Sequence, residues 1–248
     1  MNNKVFIIVF LTYISLAASN LGKVFFFIFI SIPFITKCKA NDDKCHTEST
    51  QKVIPLFADG IPELNVEKHD PLILKYVDAS TSNLKLIVTD IVVKGLKNCI
   101  AKKVTRGNMK LTVEIQCAVD FKGKYDMNGQ LFLLPITGNG DLTAKVPNIL
   151  IKVSADVKEK TGKDGEIHWA VKSWSHTFEL NEKSTVRFEN LFPDNELLRK
   201  TTEELIASNG NDVITEIGPN VIKALCAKVI EGINHFFLAV PFKDLTLP

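Results

Sequence analysis

Long alternations of apolar and polar residues run through the middle of the chain and predict β-strands. From 111 to 121 the odd-numbered positions are apolar, and the even-numbered positions are mostly polar. The same period of two covers 149–157 and 167–171, then resumes in the opposite parity over 174–180. Because alternate side chains of a strand point to one face, each segment predicts a strand with one apolar face. The change of parity near Ser173 predicts a β-bulge or a strong bend.

Shorter apolar segments predict three further strands, at 84–93, 131–136 and 185–188. The sequence Gly-Asn-Gly-Asp at 138–141 is typical of a hairpin turn, since glycine readily adopts a positive φ. A second turn is predicted at 161–165, where Thr-Gly-Lys-Asp-Gly separates two alternating segments. The middle of the chain is therefore predicted to be an antiparallel sheet.

Helical periodicity begins after Pro193, with predicted helices at 195–208 and 212–237. The second carries an apolar stripe at spacings of three and four, which predicts one buried face; its members are Ile222, Leu225, Val229, Ile233 and Phe237. Pro219 after Gly218 suits the first turn of a last helix or a kink within a longer one. Pro241 is predicted to end the helix.

A shorter helix is predicted near the N-terminus, capped by Asn41 or Asp42. Its expected buried stripe consists of Val53, Ile54 and Phe57. Pro55 lies inside that stripe and is expected to kink or end the helix, while Gly60 is a natural stop.

The first 30 residues predict a secretory signal. Lys4 precedes an apolar run over 5–18 that ends in small residues suited to cleavage. A second apolar run over 24–35 leaves the cleavage site open between about 18 and 30. An uncleaved signal anchor is the alternative, although each run is shorter than the roughly 20 apolar residues of a membrane span. We expect a secreted protein without stable membrane insertion after cleavage, and one domain over 31–248.

The five cysteines are compatible with an oxidising compartment. Six residues separate Cys38 from Cys45, which is short enough for a disulfide to close a local loop. Cys99 and Cys117 flank a hairpin whose turn is predicted at 106–108, so they could face each other across two strands. The sequence leaves undecided whether they form a second disulfide. Cys226 is expected to be a buried free thiol.

Several short motifs follow one another in a distinctive order. The pair Cys38/Cys45 precedes Gln51 and Ile54-Pro55, and then come Gly-Ile-Pro-Glu-Leu at 60–64 and Asp-Pro-Leu at 70–72. Later motifs are Gly95-Leu96, Gly123-Lys124-Tyr125, Gly138 to Asp141, Phe188 to Phe192 and the ending Phe236 to Pro241. From about Ile32 onwards the chain resembles the takeout and juvenile-hormone-binding protein family of insects.

The resemblance implies an α+β fold, a TULIP-like super-roll in which a long, strongly curved antiparallel sheet wraps around a long C-terminal helix. It also implies an elongated apolar tunnel that holds a small hydrophobic ligand. From strand parity and helix phase we expect seven residues to form the apolar wall: Phe188, Leu191, Phe192, Ile222, Val229, Ile233 and Phe237. The sequence itself shows only an apolar sheet face and an apolar helix stripe, which could equally pack without a tunnel.

The candidate chemistry for other functions is sparse. No Gly-x-Ser-x-Gly motif is present, so we expect no catalytic residue. The five histidines are scattered and lack zinc-ligand spacing, so we expect them at the surface or at sheet edges. We expect no metal or other cofactor. Glu63 and Asp70 adjoin prolines, which favours a structural role in turns, with Asp70 bonding backbone amides beyond it. Beyond residue 30 the chain balances 28 basic against 28 acidic residues, which disfavours nucleic-acid binding.

These observations predict a secreted, non-enzymatic carrier, expected to be monomeric, for juvenile hormone, a terpenoid or a fatty-acid-like lipid. Such a carrier works by partition, since apolar surface gains about 25 cal/mol per Å² on leaving water. The alternative is a secreted protein-interaction module whose core is filled by its own side chains and holds no ligand.

Overall fold

The computed structural model describes residues 35–247. The predicted signal segment lies outside the described residues. The chain forms helix α1 (Asp43–Asp59), strands β1 (Leu72–Asp78), β2 (Leu84–Lys94), β3 (Ile100–Arg106), β4 (Lys110–Leu131), β5 (Leu134–Thr161), β6 (Ile167–Leu180) and β7 (Thr185–Phe188), and helices α2 (Glu196–Ser208), α3 (Gly210–Ile217), α4 (Pro219–Ala239) and α5 (Phe242–Leu245). Short 3₁₀ helices at Pro62–Leu64 and Leu96–Asn98 complete the order.

The strands form one antiparallel sheet built on the hairpin of β4 and β5, which are 22 and 28 residues long. The strand order is β1-β2-β4-β5-β6. β3 pairs with the first half of β4, and β2 pairs with its second half. On the other side of the hairpin, β7 pairs with the first half of β5 and β6 with its second half. Strands of this length are several times the usual five or six residues, so the sheet needs a long element to cover its apolar face. The predicted α+β fold is confirmed.

A β-bulge lies close to the predicted change of parity. Asp156 pairs with Ser173 and Val157 with Val171, so Lys172 is the extra residue on β6. The bulge keeps Trp169 and Trp174 on one face of the sheet although their sequence positions differ in parity.

The hairpin turn predicted at 138–141 is wrong, as is the strand predicted at 131–136. The turn consists of Phe132 and Leu133, both with positive φ (51° and 67°), and it interrupts the predicted strand. Gly138 and Gly140 lie inside β5 instead. A Cβ at Gly138 would lie 2.8 Å from the carbonyl oxygen of Asn190, so the glycine allows a backbone segment to cross the sheet closely.

The helical predictions hold in the main. Asn195 caps α2 by accepting a hydrogen bond from the Leu198 amide. Pro219 opens α4, so the predicted helix 212–237 is divided into α3 and α4 at Gly218. At about 1.5 Å per residue, the 21 residues of α4 extend for roughly 30 Å against the sheet.

Helix α1 begins at the predicted cap, where Asp42 accepts a hydrogen bond from the Cys45 amide at 3.0 Å. Pro55 neither ends nor limits the helix, which continues to Asp59 and stops at Gly60, where φ is 85°. The expectation that Pro55 ends the helix is wrong, because the loss of one helical hydrogen bond does not end a helix that packs against β3. A kink at Pro55 stays a prediction. The stripe Val53, Ile54 and Phe57 is half-buried rather than buried.

Two disulfides are present in the structure. Cys38 is joined to Cys45 and Cys99 to Cys117, and Cys226 is the free, buried cysteine of the described chain. Cys99, Cys117 and Cys226 belong to the same apolar cluster, in which α4 packs on the sheet. The second disulfide therefore fixes the start of β3 to β4 beneath the helix.

Candidate ligand-binding site

The inner face of the sheet is continuous and apolar where it faces α4. Cys117, Ile149 and Leu180 form one row across β4, β5 and β6. Parallel to it runs a row of Ile115, Ile151 and Phe178. Both rows pack towards α4, yet the members of the second row are only half-buried. Half-buried apolar side chains beneath a helix leave accessible apolar surface between the two layers.

A cavity of about 650 Å³ lies between β2, β4, β5, β7 and α2. Its volume is within the range of about 300–1,000 Å³ that small-molecule sites occupy. The apolar residues that line it are Val92, Phe121, Ala144, Val186, Phe188, Leu191, Ile206 and Ala207. Its charged residues are Lys94, Asp120, Lys122, Lys145, Arg187 and Glu203. An apolar floor with charged groups around it suits an elongated ligand with an apolar body.

Two of the predicted wall residues, Phe188 and Leu191, line this cavity. Both are at most 1% exposed, so they form its packed edge. The open apolar surface comes from the half-buried Val92, Phe121 and Ala144 and the exposed Ala207. Phe192 is buried in the same core cluster but is absent from the cavity lining.

The four predicted residues of α4 do not line this cavity. Ile222 is buried with Cys226 against the sheet, and Val229 packs on the large core cluster. Ile233 is half-buried. Phe237 meets the ring of Trp169 edge to face at 5.7 Å, near the C-terminal end of α4. Sequence reasoning missed Phe121 and Ala144, although both lie on the apolar face that the period of two marks.

Tyr125 fixes the position of the cavity edge. Its hydroxyl donates a hydrogen bond of 2.7 Å to the Glu189 carbonyl oxygen, and its ring meets Phe188 edge to face at 4.9 Å. Burial raises the pKa of Tyr125 far above its usual range, so the hydroxyl remains a donor. This bond explains why the segment after β7 crosses the sheet at Gly138 and Gly140.

Two buried polar side chains meet at the end of the sheet where α4 terminates. Arg106, at the end of β3, is 8% exposed, and its Nη1 has no hydrogen-bond partner among residues 35–247. Trp169 of β6 is 4% exposed, and its Nε1 is likewise unpartnered within that range. Arg106 was missed because it precedes Gly107 and resembles a turn residue, although the parity of Val104 places it on the buried face.

Two of the five histidines, His69 and His168, are buried and not at the expected surface positions. His168 is 4% exposed because the chain after α4 bridges to it at Pro241, and its Nε2 lies 3.0 Å from Asp164 Oδ2. His69 is also 4% exposed, with ring nitrogens facing carbonyl oxygens of α1 and α4. Burial lowers the pKa of His176 on β6. No group of three or more metal-ligating side chains occurs in the described part of the chain.

Comparison with known proteins decides the family. The family model described as haemolymph juvenile hormone binding protein (JHBP) matches residues 14–247. The chain belongs to this family. It is similar to the circadian clock-controlled protein daywake of Drosophila melanogaster, with 25% identity over 225 residues, 85% of this chain and 86% of that protein.

Two further similarities agree with this assignment. A putative beta-carotene-binding protein of Schistocerca gregaria is 22% identical over 202 residues, covering 79% of this chain and 80% of its own. The crystal structure of Epiphyas postvittana Takeout 1 superposes with a TM-score of 0.80 at 28% identity, covering 86% of this chain and 99% of that one. The resemblance to the takeout and juvenile-hormone-binding family is therefore confirmed. Among the helices of residues 35–247, none combines the length and apolar character needed to cross a bilayer.

Proposed function

We propose that this family member is a secreted carrier that binds a small hydrophobic ligand within the roll. The observation that carries the proposal is the cavity of about 650 Å³ beside Phe121 and Ala144, which offers accessible apolar surface between the sheet and α2. Binding by partition needs such surface, because the gain is proportional to the apolar area removed from water. The two disulfides favour an oxidising, extracellular location.

The family also supports a binding role. It is described as binding juvenile hormone, and one relative is named as a putative beta-carotene-binding protein. These ligands share a long apolar body. We therefore propose an elongated apolar molecule of the juvenile hormone, terpenoid or fatty-acid class as the ligand of this chain, and no enzymatic turnover.

The direct test is saturable uptake of Nile red, a neutral apolar fluorophore, by the full chain secreted from a eukaryotic host. Ala144→Phe adds a ring where the cavity is lined by a half-buried alanine, so we expect binding to weaken by about tenfold or more. Ser175→Phe, at an exposed position of β6, is the matched control and should bind as the wild type does. Absence of saturable uptake by the wild type, or equal effects of the two variants, would contradict the carrier and favour the interaction module with a filled core.

A further inference from the structure

The end of the sheet beside Trp169 presents a buried positive charge without a counter-ion. Arg106 makes no ion pair within 4 Å among residues 35–247, and its Nη1 and the Trp169 Nε1 are both buried donors without acceptors there. Burial lowers the pKa of Arg106 from its usual value, and that of His46 is lowered first by burial and then by the Arg106 charge. Isolated buried donors and charges are costly unless an acceptor satisfies them.

The aromatic ring does not supply the missing acceptor. The guanidinium carbon lies 5.9 Å from the centre of the Trp169 ring, at the outer limit of a cation–π contact. The ring can orient the guanidinium and exclude water from one of its faces. Its own N–H remains a second donor beside the charge. The pair therefore presents two donors and one positive charge to whatever lies next to it.

The neighbours of Arg106 place this pair at the end of the apolar face. Arg106 is paired with Leu111, which is paired in turn with Ala155, and Ala155 with Trp174. Leu111, Ala155 and Trp174 are half-buried, as are the next row on this face, Val113, Val153 and His176, and the row after it, Ile115, Ile151 and Phe178. From Leu111 to Cys117 the strand extends for about 20 Å at roughly 3.3 Å per residue. That length is comparable to an extended long-chain fatty acid.

We propose that Arg106 and Trp169 form a head-group site and that the ligand is a long apolar chain ending in a carboxylate, an inference that rests on the carrier function. A carboxylate offers two acceptor oxygens, one for a guanidinium N–H and one for the indole N–H. Its single negative charge balances the single charge of Arg106. A neutral ester or alcohol leaves that charge uncompensated, and a doubly charged phosphate introduces an excess negative charge into a buried site.

The test compares the binding of palmitic acid with that of methyl palmitate, each titrated directly and followed by native mass spectrometry at neutral pH, where the acid is ionised. We expect the wild type to bind the acid about tenfold more tightly or better, as a charge-assisted pair of hydrogen bonds implies. Arg106→Met should abolish this preference while leaving the affinity for the ester within about twofold. Trp169→Phe, which keeps a ring but loses the N–H, should reduce the preference severalfold. Arg199→Met on α2 is the matched control and should retain it.

Two results would overturn the inference, and they are distinguishable from failure of the carrier function. If the wild type binds acid and ester equally, the head-group site is refuted while uptake of Nile red still supports a carrier. If Arg106→Met weakens acid and ester alike while its thermal unfolding matches that of the wild type, Arg106 has only a structural role. If Arg106→Met does not fold, two measurements decide the inference: the preference of the wild type for the acid, and the reduction of that preference in Trp169→Phe. Failure of the wild type to take up Nile red removes the carrier function and this inference together.

Discussion

The Asp70 carboxylate accepts a hydrogen bond from the Gly95 amide at 3.2 Å. It accepts a second from the amide of Lys97 at 2.9 Å. Asp70 was predicted to bond the backbone amides of the residues that follow it in sequence. It has a structural role, but the amides that it bonds belong to a distant loop. Gly95 has φ of 107°, and a Cβ there would lie 2.2 Å from the Ala118 carbonyl oxygen. Asp70 therefore holds a loop that must lie directly on β4.

Replacing Asp70 should destabilise this junction. We expect Asp70→Ala to lower the free energy of unfolding by about 2 kcal/mol, because two backbone amides lose a charged acceptor. Glu63→Ala is the control, since Glu63 is exposed, and its effect should stay within about 0.5 kcal/mol. Urea unfolding followed by circular dichroism measures both, and equal effects of the two variants would refute the role assigned to Asp70.

The glycines inside β5 provide a second prediction. In Gly138→Ala the new Cβ would meet the Asn190 carbonyl and the Tyr125 hydroxyl, both at 2.8 Å. We expect a loss of about 1–3 kcal/mol in the free energy of unfolding, because the crossing segment must move. Gly107→Ala, with no neighbour closer than 3.8 Å, should change stability little. Thermal and urea unfolding of the two variants distinguish this outcome from a general intolerance of alanine.

The buried thiol of Cys226 predicts a dependence of stability on pH. Burial raises its pKa from 9.0 to about 11, so the folded protein retains a proton that the unfolded chain releases. Its contribution is fully present below pH 9 and is lost as the pH rises towards 11. Within that window the free energy of unfolding should fall by about 1 kcal/mol per pH unit from this group. Urea titrations at several pH values measure it, and Cys226→Ala should show a shallower fall; parallel curves would refute the assignment.

The sequence predicts those elements whose periodicity is long and unbroken. The alternation from 111 to 121 marks β4, and the stripe from Ile222 to Phe237 marks α4, because many residues repeat the same signal. The bulge at Lys172 was predictable because it changes the parity of a long strand. The turn at Phe132 and Leu133 was not, since neither residue type normally favours positive φ and the Gly-Asn-Gly-Asp signal nearby is stronger.

The candidate site is harder to predict than the fold. Parity identifies the apolar face that includes Phe121 and Ala144, but the space between sheet and helix depends on how far the strands curl. The wall residues chosen on α4 stay a prediction. Arg106 illustrates the same limit, because its burial follows from the packing of α1 and Trp169 over the end of β3, which no local pattern encodes.

The central claim is that an apolar ligand occupies the interior of the roll, and native mass spectrometry tests it most directly. The full chain, secreted from a eukaryotic host and incubated with a slight excess of Nile red, should appear as a complex with one bound molecule per chain. Ala144→Phe should appear mainly without ligand, and Ser175→Phe should match the wild type. A wild-type spectrum that contains only the unliganded chain, with no apolar molecule in its organic extract, would contradict the claim.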